Sequence, residues 1–257
     1  MPANQVDAAP DGYAVAISRA LPSNRLWLFS VGRGRGGEPV VGRGEPLKLP
    51  FSYAVPPHAT QPRLSQRIDT SDARPTQAVL ARNPRRGGRL SLWTQQTVAN
   101  AGVSAVRWYE IDPVGAPRLA DDGLIAAPGV FLFDAAISPD RRVDGGTRAF
   151  GDSFVVGYNV SSAKASIAPR VMMASSRRGG PLGFTLVREA AGPYRDSTCQ
   201  DAGDPPCRWG DYSGATPDPR PAPGPAGVVW LTAQYSGRDR DPPADANWTT
   251  WIWAARP

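Results

Sequence analysis

Gln77-Ala-Val-Leu-Ala81, Leu90-Ser-Leu-Trp-Thr-Gln-Gln-Thr-Val98, Val103-Ser-Ala-Val-Arg-Trp-Tyr-Glu-Ile111 and Leu119-Ala-Asp-Asp-Gly-Leu-Ile-Ala126 follow one another as four short runs, rich in aromatic and β-branched residues and set apart by turn formers. Runs of this length and composition read as strands. A second group of four follows at once: Phe131–Ile137, Ser153–Val160, Arg170–Ala174 and Phe184–Glu189. Shorter groups flank these two: Tyr13–Ser18, Arg25–Val31 and Glu45–Phe51 before them, and Asp211–Thr216, Val228–Tyr235 and Thr249–Ala254 after. Four strands recurring every ~40–60 residues is the signature of propeller blades. A sandwich has the same short strands without a repeating group of four. The sequence therefore predicts an all-β protein, a β-propeller of about four blades and incomplete, with a β-sandwich as the alternative. The approximate blades are 11–74, 75–128, 129–191 and 207–257. Val156-Gly-Tyr-Asn-Val160 and Val228-Val-Trp-Leu-Thr232 read as apolar on both faces, which suits sheets covered by neighbours on both sides.

Composition agrees. Among 257 residues, Gly 27 and Pro 28 supply turns, while 41% apolar residues and eight Trp supply a core. The net charge of +6 is almost all Arg, spread along the chain and not gathered in a stripe, which argues against nucleic-acid binding. Cys199 and Cys207, the only cysteines, are separated by a turn-rich loop short enough for a disulfide, which suits an oxidising compartment. With a single His, zinc is not expected, and no Asp cluster matches a calcium loop. No cofactor or metal is implied. No apolar stretch approaches the ~20 residues of a membrane span. The N-terminus has neither the basic nor the apolar region of a signal peptide, so a secreted protein would here be represented by its C-terminal part.

Several stretches carry a resemblance: Ile68-Asp-Thr-Ser-Asp-Ala-Arg74, Ser91-Leu-Trp-Thr94, Val106-Arg-Trp-Tyr-Glu110, Gly157-Tyr-Asn-Val-Ser-Ser162, Arg208-Trp-Gly-Asp-Tyr-Ser213 with Pro217-Asp-Pro219, Trp230–Tyr235 and Asn247-Trp248. In this order, over roughly residues 50–257, they resemble a group of secreted bacterial proteins with sialidase-like propeller architecture. The resemblance implies a fold and an extracellular or cell-surface location, and no activity. Sialidases pair a Tyr with a Glu, and add an acidic residue and three Arg. Tyr109 and Glu110 are adjacent on a strand and face opposite ways, so they cannot form that pair without a bulge. Arg107 and Tyr109 share a face, as site members or as a packing ladder, the commoner case. The turn Ser175-Ser-Arg-Arg-Gly-Gly-Pro-Leu-Gly-Phe-Thr185 lacks the Asp of the sialidase box, and Asp144-Gly-Gly-Thr147 is a near miss elsewhere.

Gly32-Arg-Gly-Arg-Gly-Gly37 matches a dinucleotide fingerprint in letters, but Glu38-Pro39 cannot open the helix such a site requires. His58 lies in no nucleophile context. The strongest local candidate is Cys207-Arg-Trp-Gly-Asp-Tyr-Ser213, where Arg208, Trp209, Asp211 and Tyr212 could hold a carbohydrate or peptide. The competing reading, which we favour for Trp209, is a turn whose Asp caps the backbone and whose Trp packs between sheets. The expected function is a non-catalytic extracellular binding or scaffolding module with a glycan or cell-surface protein as partner. The alternatives are a sialidase-like glycan hydrolase, with Arg107, Tyr109 and Asp211 as catalytic candidates, and a lectin using Trp209 and Tyr212. An enzyme should gather Arg and carboxylates with perturbed pKa values at the axial mouth, and a scaffold should not.

Overall fold

The computed structural model describes residues 1–143, 150–199, 205–211, 213–220, 224, 226–237 and 247–257. Tyr212, Asp144-Gly-Gly-Thr147 and the loop aspartates Asp201, Asp204, Asp239, Asp241 and Asp245 lie outside these residues.

The chain is all-β, and among the described residues it has a single short turn of 3-10 helix, at Pro84–Arg86. The first sheet holds β2 (Gly12–Ile17), β3 (Ser23–Arg33), β4 (Pro39–Val41) and β5 (Glu45–Tyr53). The long β3 has two partners on one edge, β4 beside Val31–Arg33 and β5 beside Ser23–Leu28. The second sheet runs β6 (Ala78–Asn83), β7 (Arg89–Asn100), β8 (Val103–Asp112), β9 (Arg118–Ile125). Its free edge at β6 is taken by β1 (Ala3–Gln5) in parallel. The third sheet runs β10 (Phe131–Pro139), β11 (Phe154–Ser162), β12 (Ile167–Ser176), β13 (Leu182–Arg188), and the fourth β14 (Gly214–Pro217), β15 (Val229–Ser236), β16 (Trp248–Ala255). Within every sheet, neighbours other than β1 and β6 are antiparallel.

Each sheet packs a face on the next in chain order. Val15, Leu26, Leu28, Leu47 and Leu49 of the first meet Leu80, Leu92, Tyr109 and Ile111 of the second. Trp93, Val106 and Trp108 of the second meet Ile137, Phe154 and Val156 of the third. Trp93, Trp108 and Phe154 stack there with ring centroids 4.5–6.3 Å apart. Ala136 and Val155 of the third meet Val229 and Leu231 of the fourth. Gly157 permits that last approach, since a Cβ on it would sit 3.0 Å from Leu231. Middle sheets are thus covered on both sides: β10 and β11 are buried along their whole length. The two-sided burial expected of Val156–Val160 is present. That expected of Val228–Thr232 is not, because Trp230 of β15 is 36% exposed on a face that no other sheet of the described residues covers.

The N-terminal segment ties the first two sheets together. Met1 and Pro2 pair with Ala14 and Val15 of β2, and the following residues with β6. Asp7 then forms a buried pair with Arg141, at 2.9 Å on both guanidinium contacts. Cys199 and Cys207 form a disulfide. No helix of the described residues is long and apolar enough to cross a membrane.

Candidate functional site

Between β5 and β6 the chain runs through a connector without strands of its own, residues 54–77. This segment closes against residues from the far end of the sequence. Ile68 bridges Cys207 in parallel; Cys207 N–H donates to Arg67 O at 2.8 Å, and Asp69 N–H donates to Cys207 O at 3.0 Å. Under this join lies a small core of Ala59, Ile68, Phe133, Tyr194, Cys207 and Trp209. Gln61 grips Tyr194 twice: its amide nitrogen donates to Tyr194 O, and its oxygen accepts from Tyr194 N–H. Residues 68–74 and 208–211 are thereby brought together across more than a hundred residues of chain.

The third contributor is β10. Its pairing with β11 shifts register between Phe133 and Ala136, a bulge in which Asp134 has φ 47°. A bulge turns a side chain out of the regular alternation. Here it frees Ala135 O, which accepts from Thr76 Oγ1 at 3.0 Å and from Gln95 Nε2. It also sets the Asp134 carboxyl beside Ser213, whose Oγ donates to both Asp134 O (2.9 Å) and Asp134 Oδ2 (3.0 Å). Gly210 crosses just above. A Cβ there would lie 3.4 Å from Asp134 Oδ2 and 2.7 Å from Gln234 Oε1, so a larger residue would have to push the Gln234 amide aside.

These three segments enclose a cavity of about 280 Å3 whose wall includes His58, Asp69, Asp72, Arg74, Asp134 and Asp211. Ser71, Arg74, Thr76 and Asp211 also border a neighbouring cavity of about 530 Å3, which extends to Met1 and β2. Ser71 and Ala73, like Asp134, have positive φ (67° and 70°), a conformation costly for residues other than glycine and concentrated at functional sites. Asp134 is 6% exposed. Burial pushes its carboxyl up to about 7; the Ser213 hydrogen bond opposes the shift, and the Asp211 charge adds to it. Arg74 Nε pairs with Asp72 at 2.7 Å, and Arg208 with Asp211 at 3.2 Å, both in solvent. His58 Nδ1 lies 3.6 Å from Asp69 Oδ1.

The residues singled out in the sequence divide between this cavity and the core. Asp211 lines the cavity, and Arg208 stands beside it, exposed. Trp209 reaches the wall but is only 5% exposed: it meets Tyr194 and Phe133 edge-on, and its Nε1 donates to Asn159 Oδ1 at 3.1 Å. Arg107 and Tyr109 are elsewhere, together on the second sheet's face towards the first. The Arg107 guanidinium lies 3.7 Å above Phe51, and the buried Tyr109 ring stacks on the same Phe51 at 6.3 Å. Arg107 also pairs with Asp122 at 3.0 Å. Glu110 points the other way, to Asn83, Arg86 and Ser91. Asp134 was not among the sequence candidates; its signal is a lone carboxylate in the otherwise apolar run Phe131-Leu-Phe-Asp-Ala-Ala-Ile137.

Fold and site together define an all-β protein of small sheets in series, with a carboxylate-rich cavity built where two distant loops meet. No model of a known protein family, no curated protein and no solved structure matches the chain.

Proposed function

We propose that the protein is a propeller-like extracellular binding module that takes a glycan in the cavity between the 54–77 connector and the 205–213 turn. The observation that carries this reading is the convergence of both loops and the β10 bulge on one polar cavity. Sugar hydroxyls are donors that carboxylates accept strongly, and a wall of Asp, Ser and Thr offers acceptors at several heights. Serial packing of four sheets in chain order supports blades in preference to the two facing sheets of a sandwich. The Cys199–Cys207 disulfide supports an oxidising, extracellular setting. A stacking lectin built on Trp209 is less favoured, because the ring is only 5% exposed and is held among Tyr194, Phe133 and Asn159.

A hydrolase is the second reading, favoured by Asp134, whose raised carboxyl pKa suits a proton donor. Against a sialidase-like site stands the wall itself, to which Arg74 alone among the arginines of the described residues contributes. A panel of oligosaccharides tested by calorimetry, with fluorogenic glycosides in parallel, separates the two. Binding lost on Asp211→Ala without turnover is the expected result. Turnover lost on Asp134→Asn would establish the hydrolase instead.

A further inference from the structure

Beyond the aromatic contact of Trp93, Trp108 and Phe154, the second and third sheets leave between them a separate cavity of about 280 Å3. Val130, Leu132, Val160, Ile167 and Met172 line it, and Phe184 of β13 stands exposed beside it. Strand register explains the wall. Val160 is paired with Leu132 on one side and Arg170 on the other, and Tyr158 is paired with Met172, so these five side chains belong to one face of the sheet. Two polar groups interrupt that apolar surface. Tyr158 is 3% exposed, and among the described residues its hydroxyl has no hydrogen-bond partner. Burial pushes this hydroxyl up to about 12, so it keeps its proton and offers a donor. Arg170 Nη1 pairs with the exposed Glu189 at 2.8 Å, but Arg170 Nε is buried with no partner. Donors left open in a buried wall are costly until an occupant brings an acceptor.

We propose that this cavity is a second ligand site and takes a straight-chain carboxylic acid, with its hydrocarbon tail against the apolar wall and its carboxylate at Tyr158 and Arg170. A carboxylate only accepts hydrogen bonds, and its charge complements the guanidinium; such charge-assisted bonds are roughly twice as strong as neutral ones. Glu189 is a weak competitor, because it holds Nη1 alone and from the solvent side. The volume sets the length of the tail. Since ~150 Å3 holds benzene, a cavity of this size takes about ten to twelve non-hydrogen atoms, a carboxylate of about eight to ten carbons. The site is distinct from the polar cavity at Asp134, with which it shares no wall residue.

The test is chemical-shift mapping with titration calorimetry of the full chain at neutral pH, using octanoate and 1-octanol as probes. Octanoate should shift residues 125–132, 158–160 and 167–172, and should bind at least ~10-fold more tightly than the alcohol. Arg170→Met should bring the two affinities together. Tyr158→Phe, which removes only the hydroxyl, should weaken octanoate about tenfold and leave 1-octanol unchanged. The map and the ratio of acid to alcohol are read on the native chain, so they decide the matter even if a variant folds poorly. Equal binding of acid and alcohol would overturn the inference. So would shifts confined to the fourth sheet around Trp230, or no binding of octanoate at millimolar concentration.

Discussion

At the scale of single residues, Asp134 and Trp209 lead to measurable consequences. Asp134 has its carboxyl raised to about 7, above the ordinary value of 3.8 that the unfolded chain would show. The native state therefore binds more protons than the unfolded state between these values, so stability falls as pH rises through that window and levels off above it. The total is on the order of a few kcal/mol, at about 1.4 kcal/mol per pKa unit. Thermal melts from pH 5 to 8 should show this decline, and Asp134→Asn, which keeps the shape and cannot ionise, should flatten it. An unchanged slope in the variant would place the titration elsewhere. Trp209 is enclosed by Phe133, Tyr194 and Asn159, so Trp209→Ala should cost ~3–5 kcal/mol, seen as a large drop in Tm. A variant that melts like the native protein but loses glycan binding would restore the stacking lectin. The packing role of Trp209 was legible from its turn context. Asp134 was not, because a single Asp in an apolar strand reads as an irregularity until the bulge that turns it under the Ser213 hydroxyl is seen.

At the scale of elements, the strands were legible because their pattern is local. The β-branched and aromatic runs between Gly and Pro turns mark β2, β3 and β5 to β16 to within a few residues. The exceptions are β1 and β4. Ala3–Gln5 has a polar, unremarkable sequence and becomes a strand only because β6 offers it an unpaired edge. Pro39–Val41 reads as the end of a Gly-rich turn and is drawn into register by the overhang of β3. Such strands are set by tertiary contact, which the local sequence does not encode. The join between Ile68 and Cys207 was equally hidden, though its two ends were each quoted as distinctive. The disulfide holds one side of that join, and removing it by Cys199→Ala with Cys207→Ala should lower stability by about 2–3 kcal/mol through the freed loop. The same pair of substitutions should also loosen residues 67–69, visible as faster amide hydrogen exchange there. Protection that stays constant would mean the connector is held by Gln61 and Tyr194 alone.

At the scale of the whole molecule, the serial packing leaves the outer face of the fourth sheet uncovered among the described residues. Trp230, Trp248 and Ile252 are 36%, 53% and 66% exposed there. Apolar patches of this kind promote association. Light scattering should show concentration-dependent self-association, reduced in a Trp248→Ser, Ile252→Thr variant; a monodisperse monomer at every concentration would mean that face is tolerated in water. That patch is also the natural competitor to the cavity as the molecule's working surface. Chemical-shift mapping of the isotopically labelled chain, titrated with an oligosaccharide that binds in calorimetry, decides between them. The account predicts shifts concentrated at residues 58–74, at Asp134 and at 208–213, with the fourth sheet's outer face unaffected. Shifts centred on Trp230, Trp248 and Ile252, with Asp134 and its neighbours silent, would contradict it.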